Sequence, residues 1–367
     1  MNTSDFIHHT TALARIASTS DNAHYLRQAV DFVADFVSAR ANVTIERFES
    51  NGKPSLLMYR GATRPEKFDL LLNGHVDVVS ANPEAFEPYE KDGRLYGRGV
   101  LDMKGTVIVL ASVFCELVNE VPYAFGLQIV PDEETGGVDG TIYQIEQGVR
   151  TEMALIGEYA NHRNTIYNAA RGLCWAEIAF KGKTSHGGHP WNGSNAIVRA
   201  SDFVSALLER YPIPTEETWT TTATIASITT PNDTYNKVPD YAVVKVDFRF
   251  PVEDKAFTNE ESVRALIAEI DPEAELLSIA SSGPAIHVEE TNLYAEKLAK
   301  AIKEVTGETP QFKGRPGGSD GRHFALANMN ALEFGLYGHN SHSPNEYVEI
   351  ASFEEYYTVM RKFLRSL

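Results

Sequence analysis

Residues 70–79 read LLLNGHVDVV, an apolar run that delivers Gly74, His75 and Asp77 before turning apolar again. The run has the length and composition of a buried strand, which we place at 69–79. Side chains two apart on a strand point the same way, so His75 and Asp77 share a face. That pairing suits a histidine that binds a metal through one ring nitrogen while a carboxylate holds the other. A histidine in an apolar strand is more often a hydrogen-bonded core residue, so the rest of the chain must supply partners.

Working outward, two further apolar runs end in the same way. Ala124 to Val130 leads into PDEETGG, with Glu133 and Glu134, and Met153 to Ile156 leads into Gly157 and Glu158. Ligands of open α/β sheets bind at the carboxyl ends of strands, so three strands running out into histidine or acid point to one site. Two amphipathic helices, at 3–16 and 22–39, and short strands at 43–48 and 55–59 come before them. Between the first and second of these strands, FEPYEKDGRLYGRGVLDMKG (86–105) reads as a glycine-shaped loop that carries Asp102 into an apolar, buried helix at 104–118. The alternation of helix and strand predicts an α/β catalytic domain with a mixed sheet.

After Ala169 the order becomes strand (173–181), helix (195–211), strand (221–229), strand (241–250), helix (259–270), strand (275–281). That β-α-β-β-α-β order is the ferredoxin-like pattern. We therefore expect an inserted α+β domain at 170–282, with 1–169 and 283–367 forming the first domain. A helix at 294–305, the glycine-rich GRPGGSDGRHF, the strand-like ALEFGLYG and a closing helix from Ser352 return to that first domain.

Composition bounds the function. A chain of 367 residues, 43% hydrophobic and 23% charged, suits two globular domains. Thirty-three basic against 50 acidic residues give a formal charge of -17, which argues against nucleic acid and anionic membranes as partners. Cys115 and Cys174 lie in apolar stretches outside any CxxC pair and read as free thiols of a reducing compartment. The first residues lack a basic start followed by an apolar core, and no run of about 18 apolar residues occurs, so a cytoplasmic protein is expected.

The histidine and acidic positions sort into two metal sites: His75 and Glu158 on one ion, Glu134 and His342 on the other, with Asp102 bridging. Mixed nitrogen and carboxylate ligands suit zinc, and also cobalt or manganese. Two ions about 3.5–4 Å apart can share and acidify a water and polarise a carbonyl. Glu133, adjacent to a ligand, would take the water's proton and pass it to the leaving amine. Taken singly, each residue has a plainer reading: an acidic run after a strand is usually solvated, and an aspartate in a glycine-rich loop is usually a turn residue.

The segments HVDVV, GRGVLDMKG, DEETGG, GEY, GKTSHGGHPWNGSNAI, NKVPDYAVVKVDFR, GGSDGR and HSPNE, in this order, resemble the M20 metallopeptidases and amidohydrolases. The group includes acetylornithine deacetylase, succinyl-diaminopimelate desuccinylase, aminoacylase and glutamate carboxypeptidase. The resemblance spans about residues 70 to 350. It implies a zinc-peptidase fold with a lid and dimerisation domain, metal ligands at His75, Asp102, Glu134, Glu158 and His342, the acid/base at Glu133, and Asp77 as the clamp on His75. His186, set by the GxxxHxxxP of Gly182, His186 and Pro190, would reach from the partner subunit of a homodimer to the oxyanion; His189 is a competitor by chemistry. Asn236 and Arg249 match positions that contact a substrate carboxylate, and Gly317 and Gly318 match a loop whose backbone approaches substrate.

Some positions depart from the pattern. GGSDGR lacks the threonine of GGTSDGR-like desuccinylase loops, HSPNE is closer to the deacetylase and aminoacylase style, and Tyr159 replaces a proline found after the ligand glutamate in many members. Arg163, Arg171 and Arg322 are further candidates for anionic contact, each also readable as a salt-bridge partner. The expected activity is hydrolysis of the amide of an N-acyl amino acid. A carboxypeptidase or dipeptidase is the alternative, and a non-catalytic metal- or peptide-binding relative is a third.

Overall fold

The computed structural model describes every residue except 316. The chain divides into two compact units, Met1–Ala169 with Val288–Leu367, and Ala170–His287.

In the first unit, helices α1 (Thr3–Ala14) and α2 (Ala23–Ser38) lead into strands β1 (Thr44–Ser50), β2 (Lys53–Tyr59) and β3 (Phe68–His75). A hairpin follows, β4 (Tyr89–Lys91) and β5 (Arg94–Tyr96), then α3 (Lys104–Leu117), β6 (Phe125–Val130), α4 (Tyr143–Glu146), β7 (Thr151–Ile156) and β8 (Thr165–Ala170). The main sheet has the order β1-β2-β6-β3-β7. Strand β3 lies parallel to both β6 and β7, with His75 opposite Val130 and Asn73 opposite Ile156. The three acid- or histidine-bearing strands are therefore immediate neighbours whose carboxyl ends lie side by side. Nearly every residue of β3, β6 and β7 is buried, as expected of parallel strands covered on both faces.

Helix α3 is buried from Lys104 to Phe114, as its all-round apolar sequence predicts. Glycines let it approach the strand ends. A Cβ on Gly74 would lie 2.9 Å from a Val107 methyl, and one on Gly157 would lie 2.6–2.8 Å from Thr106, Met103 and Leu110. These two glycines immediately precede His75 and Glu158. The first turn of α3, and Asp102 just before it, thus reach the sheet only because the preceding strand positions carry no side chain.

The second unit runs β9 (Gly172–Lys181), α5 (Ala196–Arg210), β10 (Thr222–Thr229), β11 (Tyr241–Phe250), α6 (Glu260–Ile270), β12 (Glu275–Gly283) and β13 (Ile286–His287). Strands β10-β11-β9-β12 form one antiparallel sheet. Alternate residues of β9 and β11, among them Ile178, Phe180, Val244 and Phe248, pack with Phe203 and Leu207 of α5 and Leu266 of α6. The chain then returns to the first unit as α7 (Leu293–Thr306), β14 (Gln311–Arg315), α8 (Gly321–Leu326), β15 (Asn330–Glu333), β16 (Gly338–His339), β17 (Tyr347–Glu349) and α9 (Ala351–Ser366). Strand β15 extends the parallel set beside β7, and β16-β17-β5-β4 make a small separate sheet.

Several expectations are corrected. The strand expected at 69–79 ends at His75, because beyond it the backbone changes partner: Val78 N–H donates to Ser18 O, and Thr19 bridges Val78. The helices expected to begin at Asn22, Asn195 and Asn259 begin one residue later, because each asparagine caps its helix by accepting backbone N–H groups. The 86–105 segment is not all loop. Asp92 (φ 51°) and Gly93 (φ 77°) turn β4 into β5, and the Asp-Gly pair was a readable hairpin signal.

Candidate metal centre

His75 closes β3 with its ring 1% exposed. Its Nδ1 lies 3.0 Å from the Asp77 carbonyl oxygen and 3.4 Å from Asp77 Oδ1. Its Nε2 lies 3.2 Å from Asp102 Oδ1 and 3.5 Å from Glu158 Oε1. The other oxygen, Asp102 Oδ2, is 3.2 Å from His342 Nε2, and that nitrogen is 3.0 Å from Glu134 Oε1. Asp102 thus stands between two histidines, each with a second carboxylate of its own. His342 holds this place from a left-handed backbone (φ 59°), a strained conformation for histidine.

Asp77 does more than clamp a ring. Its carboxylate accepts the Glu133 N–H (3.1 Å), the Glu134 N–H (3.1 Å) and the Ser20 hydroxyl (2.9 Å). One buried anion therefore orients His75 and fixes the turn that carries Glu133 and Glu134. A matching clamp escaped the sequence reading. Glu346 Oε1 accepts the Leu101 and Asp102 N–H groups at 3.1 and 3.2 Å, and Arg98 pairs with the same carboxylate. The HSPNE segment held this signal, but a glutamate there has no local feature that separates it from a solvated one. Ser20 had none either, since it reaches Asp77 only through the partner change after His75.

The electrostatics call for cations. Burial opposes charge on His75, yet hydrogen bonds to Asp102, Asp77 and Glu158 outweigh it and hold its pKa well above the ordinary value. Hydrogen bonds to Asp102 and Glu134 push His342 up to about 10. Burial works against the ionised form of Asp102, but both histidines hold its pKa below the carboxylate range. Burial, then the Glu158 charge, raises Glu133 well above its ordinary value. Without metal, both histidines hold their protons against the carboxylates that face them. The donor chemistry also fits metal: for tetrahedral zinc with bonds near 2.0–2.1 Å, neighbouring donors stand about 3.3 Å apart, and the donor separations here are 3.0–3.5 Å. Ligand atoms of His75, Glu133 and Glu158, and of His75, Asp102 and Glu134, each gather within 4.8 Å.

A model of peptidase family M20/M25/M40 matches residues 71–366. The chain belongs to this family. It is a metal-dependent hydrolase. Among its relatives, a succinyl-diaminopimelate desuccinylase of Paraburkholderia xenovorans is 28% identical over 97% of this chain and 97% of its own length. A second desuccinylase, from Acinetobacter baylyi, is 29% identical over 90% of each chain. In fold, the M20 chain superposes on an aminopeptidase of Bacillus cereus with a TM-score of 0.76, at 18% identity and covering 99% of this chain and 98% of that one. A family metallo-carboxypeptidase of Sulfolobus solfataricus gives a TM-score of 0.71, at 18% identity, with coverages of 100% and 99%. The M20 resemblance, the α/β class and the hydrolase reading of the sequence agree with these findings.

The remaining expected residues sit as follows. In the second unit, His186 is exposed; its Nδ1 accepts the Gly188 N–H at 3.0 Å, and Gly187 N–H donates to the Asn236 carbonyl at 2.7 Å. His186 and Asn236 thus come from two strands of chain held together. His189 lies beside His186, the ring centroids 5.5 Å apart and the planes tilted by 47°. Arg249 is bound by Asp247 through Nε (2.9 Å) and one terminal nitrogen (3.1 Å), so its fork is partly occupied. Arg171 lies in the repulsive field of Arg249, whereas Arg163 is spent on Glu308 and Glu355. In the first unit, a Cβ on Gly318 would meet Arg322 at 2.8 Å, while one on Gly317 would meet nothing. No helix among the described residues is long and apolar enough to cross a membrane.

Proposed function

We propose that the chain hydrolyses the amide of a small N-acyl amino acid at a dinuclear centre, with His75 and Glu158 on one ion, His342 and Glu134 on the other, and Asp102 bridging. The observation that carries this reading is the Asp102 carboxylate, whose two oxygens each face a different histidine at 3.2 Å. Zinc is the metal proposed, with cobalt or manganese as functional substitutes. Divalent ions held there would acidify a water and polarise the scissile carbonyl.

The chain's own groups supply the rest. Glu133 shares its turn with the ligand Glu134 but makes no ion pair of its own among the described residues, and burial raises its proton affinity. It takes one proton from the attacking water and delivers it to the amide nitrogen as the carbon–nitrogen bond breaks, giving a carboxylic acid and an amine, between which the second water proton passes to leave a carboxylate and an ammonium. Asp77 and Glu346 keep the ligand-bearing turns from shifting as charge develops. We further propose His186 as an oxyanion donor acting across a homodimer formed through the inserted domain, and Asn236 and Arg249 as contacts to the substrate carboxylate. Gly317 and Gly318 are proposed to let the backbone approach substrate.

The desuccinylase names of the relatives support a succinylated substrate, whereas the GGSDGR loop and the HSPNE ending favour other acyl groups. A panel of acetyl-, succinyl- and other N-acyl amino acids with dipeptides, assayed on zinc-loaded protein, decides between them. Deacylation is expected; release of C-terminal residues from peptides without deacylation would replace this reading with a peptidase.

A further inference from the structure

Tyr159 follows the ligand Glu158 directly, and its phenol is tied to Ser341, the residue directly before the ligand His342. The Ser341 hydroxyl donates to the Tyr159 oxygen at 2.6 Å. The ring is half-buried, with the Arg315 guanidinium 5.2 Å from its centre and the Arg315 Nη2 bonded to the Tyr159 carbonyl at 2.7 Å. The backbone on either side of this hydroxyl pair therefore belongs to two ligands placed on different ions. Tyr159 is thus adjacent in the chain to a proposed ligand of one ion, and its phenol is bonded to the residue adjacent to a proposed ligand of the other.

A phenol has one proton to give and two lone pairs. Here a lone pair takes the Ser341 hydrogen, while no acceptor for the phenol's own proton occurs among the described residues. The phenol is held in place, and its donor is unspent at a point bonded to the residue before His342 and adjacent in the chain to Glu158. A donor that is fixed beforehand and saved for charge developing in the transition state is the arrangement that stabilises an oxyanion.

We propose that Tyr159 is a catalytic residue that donates a hydrogen bond to the acyl oxygen as the carbonyl becomes tetrahedral. The proposal rests on the dinuclear reading of the site. It adds to that reading a donor from the same unit as the ligands, independent of His186 in the inserted domain. No proton is transferred: the phenol keeps its hydrogen while negative charge gathers on the acyl oxygen and returns to the carbonyl when the amine leaves.

The test compares zinc-loaded wild type and Tyr159→Phe on the acyl amino acid that wild type cleaves best. Metal content is measured alongside, as is binding of a phosphinate analogue whose tetrahedral oxygens mimic the oxyanion. The expected result is a kcat lower by about 100-fold with a small change in KM, unchanged metal content, and analogue affinity weakened by a similar factor. An active wild type matched by Tyr159→Phe in kcat and analogue affinity would overturn the proposal alone. Loss of an ion in the variant would also overturn it, by assigning the phenol to holding His342. A metal-loaded wild type that cleaves nothing on the panel would overturn both this proposal and the reading beneath it.

Discussion

At the scale of the residue, the centre is built from carboxylates doing different work in one small volume. Glu133 and Glu134 are neighbours in sequence, yet Glu134 pairs with His342 while Glu133 makes no ion pair among the described residues. Glu133→Ala should keep both ions and lose about 100- to 10,000-fold in turnover, as measured by metal analysis beside kinetics. Asp77→Ala should do the reverse, lowering metal affinity by about 10- to 100-fold in a chelator competition, because it frees His75 and the 133–134 turn together. Asp320 supplies a pH test of stability. Burial pushes its pKa up to about 7 despite a hydrogen bond from Thr141. Between the ordinary carboxylate value and 7 the folded state then binds more protons than the unfolded one, so this group's contribution is full in acid and is lost as pH rises toward 7. Denaturation of wild type and Asp320→Asn from pH 4 to 7 should show a steeper decline in wild type than in the variant, in which the other raised carboxylates, Glu133 among them, still titrate.

At the scale of the element, the decisive feature is three parallel strands ending side by side with α3 pressed against them. Gly157→Ala would force a methyl into Thr106, Met103 and Leu110 and should cost about 1–3 kcal/mol, seen as a lower Tm. Much of this was readable. The apolar runs before His75, Glu133 and Glu158 are unambiguous, and the all-round apolar sequence of α3 marks it as buried. What could not be read depends on partners distant in sequence. The end of β3 at His75 is set by Ser18 and Thr19, and the clamp on Asp102 comes from Glu346, 244 positions away. The β4–β5 hairpin was missed for a different reason: its strands are three residues long, too short for a period to show.

At the scale of the whole molecule, the two units bring different chemistry. All the proposed metal ligands lie in the first, whereas His186, Asn236 and Arg249 lie in the second. Nothing in the pattern of one unit states which copy of the other it serves. If His186 acts across a dimer, mixing inactive Glu133→Ala with inactive His186→Ala should restore part of the activity through hybrid sites; no recovery despite demonstrated subunit exchange would place its action within one chain.

The proposed chemistry stands on Asp102 bridging two ions. Anomalous diffraction at the zinc edge from crystals of zinc-loaded protein tests it directly. Two peaks are expected about 3.5–4 Å apart, one beside His75 and Glu158 and the other beside His342 and Glu134, with Asp102 between. A single peak, or a second peak that Asp102 does not touch, would contradict it.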